Sequence, residues 1–215
     1  PAFAAPGIIT NMAISGNRLY VVTGTTIRMY DLSDPLTPLE LNSMELTFNP
    51  IKLIALDTII YVLDAAHYVD RIGLAGNFFA DQSNLISSRV TDIAADQDYL
   101  YYQAEADLNI YAMTRQGGLT SLIIPNPGRP ITLNAFGNQL LTVLDAELGH
   151  QVYSRNAGQV DLIYSADAYH VNRVSTFNPD RNKLLISEEN ALRILDVDLG
   201  NHPPQQQHHR TGQRP

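Results

Sequence analysis

The chain has 215 residues, of which 45% are hydrophobic and 17% charged, with a formal net charge of −8 and no cysteine. That composition describes a globular chain able to bury a core. The acidic balance disfavours nucleic acid, whose phosphates need clustered Lys and Arg, and the missing thiols exclude disulfides, thiolate catalysis and Cys-based zinc.

No apolar run is long enough for a helix that crosses a bilayer. The chain opens Pro1-Ala2-Phe3-Ala4-Ala5-Pro6, in which Ala2-Phe3-Ala4 has the small-x-small form of a signal-peptidase site. A cut within a longer chain accounts for it equally well.

From there one event recurs: a short polar turn, then an apolar run. In copy one, "NMAIS" leads to Gly16-Asn17 and "RLYVV", followed by "IRMYDL" and "LELNSM". Copy two turns at Leu56-Asp57 into "TIIYVL", then "VDRIGL" and "NFFADQ". Copy three has "TDIAA", the turn Asp96-Gln97-Asp98, "YLYYQ", "LNIYAM" and "LTSLII". Copy four turns at Gly137-Asn138 into "QLLTVL", then "HQVYSR" and "VDLIYS". Copy five turns at Pro179-Asp180-Arg181-Asn182 into "KLLIS" and "LRILDV".

Two markers hold the period. Leu19, Ile59, Leu100, Leu140 and Leu184 recur at spacings of 40, 41, 40 and 44. The third segments start at Ile27, Val69, Leu108, His150 and Leu192, with a polar second position in every copy: Arg28, Asp70, Asn109, Gln151 and Arg193. Signals for helix are nearly absent. The runs after the turns are apolar at consecutive positions, as strands are when both faces of their sheet are covered.

These features predict an all-β chain: a β-propeller of four-stranded antiparallel blades, about five in this chain. The approximate blades are residues 8–46, 47–87, 88–126, 127–167 and 168–200. The last is incomplete, because "DVDLGN" gives way to "HPPQQQHHRTGQRP", and residues 201–215 read as a disordered Pro/Gln/His tail. Leu19, Val21, Ile60, Val62, Leu100, Leu140, Val143 and Leu184 are expected to be buried between neighbouring sheets.

The stretch "MYDLSDPLTPLEL" joins strands three and four of copy one. Asp31, Ser33 and Asp34 are suited to cap free backbone N–H groups there, and Pro35 stops the strand. Residues 16–38, from Gly16-Asn17-Arg18-Leu19-Tyr20-Val21-Val22 to Asp31-Leu32-Ser33-Asp34-Pro35-Leu36-Thr37-Pro38, resemble the LVIVD repeat of bacterial and archaeal surface or secreted propellers. The other copies keep the strands but not the Ser-Asp-Pro-x-x-Pro turn. The resemblance implies a propeller, often extracellular, and carries no catalytic residues.

The chain holds no G-x-S-x-G elbow, P-loop, G-x-G-x-x-G or H-E-x-x-H motif. His67 and His150 fall near the start of strand three in their copies, without a defined third metal ligand. The turn between strands two and three is acidic in four copies: Asp64; Glu105 and Asp107; Asp145 and Glu147; Glu188 and Glu189. A ring would gather these on one face, either as solubilising charge or as a surface for a basic partner or a cation, calcium being the one that suits carboxylate oxygens. Asn11, Lys52, Asp92, Thr132 and Asn172 fall at roughly equivalent places on the inner strands and could line a polar channel, or hold a hard cation through Asn11, Asp92 and Asn172.

The expected function is therefore a non-enzymatic binding module for another protein or a cell-surface macromolecule, in a periplasmic, extracellular or bacterial cell-surface setting. No cofactor is expected beyond possible Ca2+. The alternatives are a propeller hydrolase or lyase with a polar or cation-binding site at the central channel, and a structural repeat of an adhesin-like chain.

Overall fold

In a computed structural model of the chain, the apolar run Arg18–Thr23 pairs on both sides, with Ile9–Ser15 before it and Thr26–Asp31 after it. The structure describes residues 6–107, 109–118, 120–124, 130–137, 140–145, 149–156, 159–166, 175–178, 183–188 and 191–196. The same pairing repeats along the chain. The first sheet is β1 (Ile9–Ser15), β2 (Arg18–Thr23), β3 (Thr26–Asp31) and β4 (Leu39–Glu45). The second is β5 (Pro50–Leu56), β6 (Ile59–Asp64), β7 (Val69–Ala75) and β8 (Phe78–Ile86). The third is β9 (Val90–Ala95), β10 (Tyr99–Ala104), β11 (Ile110–Thr114) and β12 (Thr120–Ile124). The fourth is β13 (Pro130–Phe136), β14 (Leu140–Asp145), β15 (Gly149–Asn156) and β16 (Gln159–Ala166). The fifth, three-stranded among the described residues, is β17 (Ser175–Asn178), β18 (Lys183–Glu188) and β19 (Ala191–Asp196).

Within each sheet the strands follow one another antiparallel, and no helix occurs among the described residues. The reversals are tight. Ser15 pairs with Arg18 across Gly16-Asn17, and Leu56 with Ile59 across Asp57-Thr58. Gly16 has φ 56 and Asp57 φ 42, the left-handed conformation that two-residue hairpin turns require and that Gly and Asp tolerate best.

Consecutive sheets pack face to face. All six positions of β6 are buried. Ile60 and Val62 pack on Tyr20, Val22, Ile27 and Met29 of the first sheet. Ile59, Tyr61 and Leu63 pack on Ile93, Leu100 and Tyr102 of the third. The apolar run without alternation thus follows from covering both faces. Tyr101 meets Leu141 and Val143 of the fourth sheet, and Leu140 meets Leu184 and Ile186 of the fifth.

These contacts correct the register of the repeat. Leu19, Ile60, Leu100, Leu141 and Leu184 occupy the same side of their sheets, whereas Ile59 and Leu140 face the opposite way. Leu19 is half-buried; the other expected core residues are buried.

First strands meet first strands, β1 with β5, β5 with β9 and β9 with β13, so they line the centre of the array. Each of these four carries a bulge near its start, between Ile9 and Asn11, between Pro50 and Lys52, opposite Tyr102 to Ala104, and between Pro130 and Thr132. A bulge adds one unpaired residue and re-aims the side chains beside it.

Candidate functional site

The bulged ends of the inner strands hold four of the expected channel residues, Asn11, Lys52, Asp92 and Thr132. Asn11, next to the bulge of β1, donates from Nδ2 to the carbonyl of Ile51 at 2.8 Å. Ile51 is the extra residue of the β5 bulge, so its carbonyl is free of the ladder for this bond to the next sheet. Lys52 Nζ donates to both carboxylate oxygens of Asp92, at 2.9 and 2.8 Å, and to the Leu133 carbonyl at 2.9 Å. Asp92 Oδ2 also accepts the Leu133 N–H at 2.7 Å. Second, third and fourth sheets are thereby tied at the centre.

Burial strengthens this cluster. The Asp92 side chain is 8% exposed and that of Lys52 25%, so the pair is partly withdrawn from water and its Coulomb term is less screened than a surface pair's. Lys52 supplies beside Asp92 the positive charge that a bound cation would supply. Thr132 is half-buried on β13, one residue before Leu133. Asn172 lies outside the described residues. Asn11, Lys52 and Asp92 therefore come to the centre, and each is directed at the next blade.

The acidic turns differ among themselves. Asp64 is 6% exposed. Its Oδ1 accepts the Tyr68 N–H at 2.8 Å and its carbonyl accepts the His67 N–H at 3.0 Å, so it caps its own turn from within. Glu105 pairs with Arg89 Nε at 3.0 Å. Asp107 accepts from the Asn109 N–H at 3.1 Å and from the Tyr111 hydroxyl, which hold its carboxyl below the usual range, the hydroxyl most of all. These three sit at the same end of their hairpins. Asp145 and Glu188 end β14 and β18; Glu147 and Glu189 lie outside the described residues.

The Asp31–Pro35 turn is a set of caps. Asp31 Oδ1 accepts the Ser33 N–H at 2.8 Å and the Ser33 hydroxyl at 2.7 Å. Asp34 accepts the Leu36 N–H at 3.0 Å and the Thr37 hydroxyl at 2.6 Å. Both carboxyls are lowered by these bonds, the Ser33 and Thr37 hydroxyls contributing most. This is the capping role that the turn chemistry of the sequence implied.

His67 serves the fold. His67, at φ 70, bonds the Val90 carbonyl through Nδ1 at 3.1 Å and accepts the Val90 N–H on its own carbonyl at 2.8 Å, joining the second sheet to the third. His150 is buried on β15. Among the described residues no three His, Cys, Asp or Glu come close enough to hold a metal ion.

Two positions escaped the sequence reading. Arg115, at the end of the third sheet's hairpin, donates to the Leu56 carbonyl at 3.3 Å and to the Gln97 carbonyl at 3.3 Å, and lies 3.5 Å from Asp57. It bolts the second sheet to the third. Asp70 is 7% exposed, and burial, then the nearby Asp64 carboxylate, raise its pKa against the lowering bond from Gln82. The repeated polar second position of strand three was its only signal, since that marker does not say which way the side chain points.

No family model matches the sequence, and no curated protein matches it. Solved structures do. The β-propeller domain of Myceliophteria thermophila Cps50 (Swd1) superposes with a TM-score of 0.65 at 14% identity, over 87% of this chain and 69% of that one. Kluyvelomyces marxianus Hsv2 gives a TM-score of 0.59 at 12% identity over 86% of this chain, which spans 60% of the length of Hsv2. A chain of the S. cerevisiae assembly of dbp5 with nup159 and gle1 gives 0.55 at 12% identity, over 86% of this chain and 59% of that one. With its sheets of four antiparallel strands radiating from bulged inner strands, the chain has the β-propeller fold.

Proposed function

We propose that the protein is a non-enzymatic propeller module that presents a face to another protein or a cell-surface macromolecule. The observation that carries this reading is the commitment of the central polar groups. Asn11, Lys52 and Asp92 are bonded to neighbouring blades, where a channel enzyme would aim unlike polar groups at one substrate atom. The LVIVD-like stretch of residues 16–38 supports a secreted, periplasmic or bacterial surface setting. The nup159–gle1 assembly shows a fold neighbour within a complex of proteins, and the present chain is read the same way.

The binding face proposed is the end of the blades carrying Glu105 and Asp107, where β14 and β18 end at Asp145 and Glu188, with Asp64 turned inward beneath it. Its partner would be basic or bring calcium. The test is calorimetric titration of the protein with calcium, and with a basic protein at low and high salt. Binding that weakens with salt supports the acidic face, because exposed charges are screened beyond about 8–10 Å. Absence of heat in both titrations removes it. Turnover of a hydrolase or lyase substrate that is abolished by Asp92→Asn at unchanged folding would replace the reading with a catalytic one.

A further inference from the structure

The seam between the second and third sheets receives an arginine from each side. Tyr61 and Arg71 are cross-strand partners, and Tyr61 packs toward the third sheet, so Arg71 rises from the same face. Arg115 comes from the third sheet. The Tyr61 hydroxyl donates to the Arg115 carbonyl at 3.2 Å, and the Arg115 guanidinium reaches the Leu56 carbonyl. Tyr61 is 0% exposed. Burial raises its pKa, and Arg115 and then Arg71 act against that rise, as two positive charges near one phenol do.

Neither guanidinium is fully used. Among the described residues Arg71 makes one polar contact, from Nη1 to Asp81 Oδ2 at 3.4 Å. Its Nε is closed off from solvent and donates to nothing, and the same holds for Arg115 Nε. The carboxylates alongside are poor partners. Those of Asp81 and Asp57 are 59% and 60% exposed and stand 3.4 and 3.5 Å from the nearest guanidinium nitrogen, where a charge-assisted bond measures about 2.7–2.9 Å. A buried donor without an acceptor is costly, and this seam holds two.

Gly73 shows where an acceptor fits. It lies two residues from Arg71 on the same face, opposite Ile59 on one side and Asp81 on the other. A Cβ added at Gly73 would fall 2.0 Å from Asp81 Oδ1. The Asp81 carboxylate therefore lies in a space over the strand that any other residue at position 73 would fill. From there it meets Arg71 through Nη1 alone. The Nε–Nη2 edge, which grips a carboxylate through two parallel bonds, has no partner.

We propose that the cradle over Gly73, faced by Arg71 and Arg115, is a binding seat for a carboxylate, and that Asp81 is the chain's own stand-in, displaced when a carboxylate from outside takes the Nε–Nη2 edge of Arg71. A planar carboxylate is favoured over a phosphate because the present occupant of the cradle is one. The seat lies at the opposite end of the hairpins from Asp64 and Glu105, so it is independent of the acidic face.

The test watches the arginine Nε–H groups directly, by two-dimensional NMR of the isotope-labelled chain at fixed ionic strength. The Arg71 and Arg115 signals are assigned by their loss in Arg71→Gln and Arg115→Gln. Succinate stands for a free organic acid and capped triglutamate for an acidic protein segment; whichever binds more tightly names the source of the carboxylate. Titration should shift the Arg71 signal saturably. Asp81→Asn, at an exposed position, should lower the midpoint by about tenfold, as removal of an intramolecular competitor does. Gly73→Ala in the Asp81→Asn chain fills the cradle without changing a charge and should abolish the shift, as should Arg71→Gln read at the Arg115 signal, with the backbone amide spectrum showing that each variant is folded. The proposal is overturned if neither carboxylate moves the Arg71 signal in Asp81→Asn, if folded Gly73→Ala responds as strongly, or if inorganic phosphate binds more tightly than succinate.

Discussion

Lys52 and Asp92, 40 residues apart and on different blades, meet with Nζ 2.8 Å from Oδ2 at the centre of the array. The one carboxylate receives an ammonium from the blade before it and a backbone N–H from the blade after it. Its neighbours on both sides therefore depend on it.

Asp92→Leu leaves the Lys52 ammonium and the Leu133 N–H without their acceptor. It should lower stability by about 1–3 kcal/mol, the range for losing hydrogen bonds to a charged group. Lys52→Met in the same background should recover part of the loss, because the stranded charge is removed as well. Denaturant midpoints of the two singles and the double measure it. Strict additivity would show that the two residues do not interact in solution.

Leu100→Ala removes a side chain with 0% exposure between the second and third blades. A loss of about 2–5 kcal/mol is expected from transfer plus cavity. Met12→Ala, at an exposed site of the inner strand, should shift the midpoint by less than about 0.5 kcal/mol. Similar losses at both sites would contradict the burial pattern.

The Asp34 cap predicts an acid-limb effect. Its pKa is lowered in the folded chain by the Thr37 hydroxyl and the Leu36 N–H. A lowered folded pKa means that the contribution is present above the ordinary value of 3.8 and is lost as pH falls through the folded value. Asp34→Ala should therefore be less stable at neutral pH and converge on the parent in strong acid. A difference independent of pH would mean that the carboxylate charge is not what the turn uses.

Asp70 predicts the opposite sign. Burial raises its pKa, so its neutral form is favoured in the folded chain. Stability is retained below 3.8 and declines as pH rises through the folded value. Asp70→Asn keeps a polar partner for Gln82 and removes the charge facing Asp64. Its melting temperature should exceed the parent's at neutral pH, with the gain vanishing in acid. A variant less stable than the parent at every pH would refute the assignment.

The period of the fold was legible because the copies repeat a polar turn before an apolar run, Gly16-Asn17 in one and, one residue on from the Leu56-Asp57 read in sequence, Asp57-Thr58 in another. The side of the sheet was not. Ile59 and Leu140 align with Leu19 by apolar run, yet they face the other way, because a strand buried on both faces lacks the alternation that would fix its register. The capping role of Asp31 and Asp34 was legible, since an Asx turn is local. The Lys52–Asp92 pair was legible only as two polar inner positions: which partner each chose depended on bulges, and an unpaired residue leaves no mark in a run such as "PIKLIAL". Asp64 was read as rim charge and is buried as a cap, because sequence shows the turn but not the tilt of its side chain.

Cross-blade bonds at the centre also set how the molecule comes apart. Asn11 to Ile51, His67 to Val90, and Lys52 through Asp92 to Leu133 are links between successive neighbours, so the array behaves as a chain of coupled units in which each unit is held by those on either side. Among the described residues the second, third and fourth blades each pack against a sheet on both faces. Fraying should start at the ends and stop at the pair joined by Lys52, Arg115 and His67. Amide hydrogen exchange would read this as a gradient, fast in β1, slowest in β6 and β10. Uniform exchange across all the blades would instead mean that the array opens as a single cooperative body.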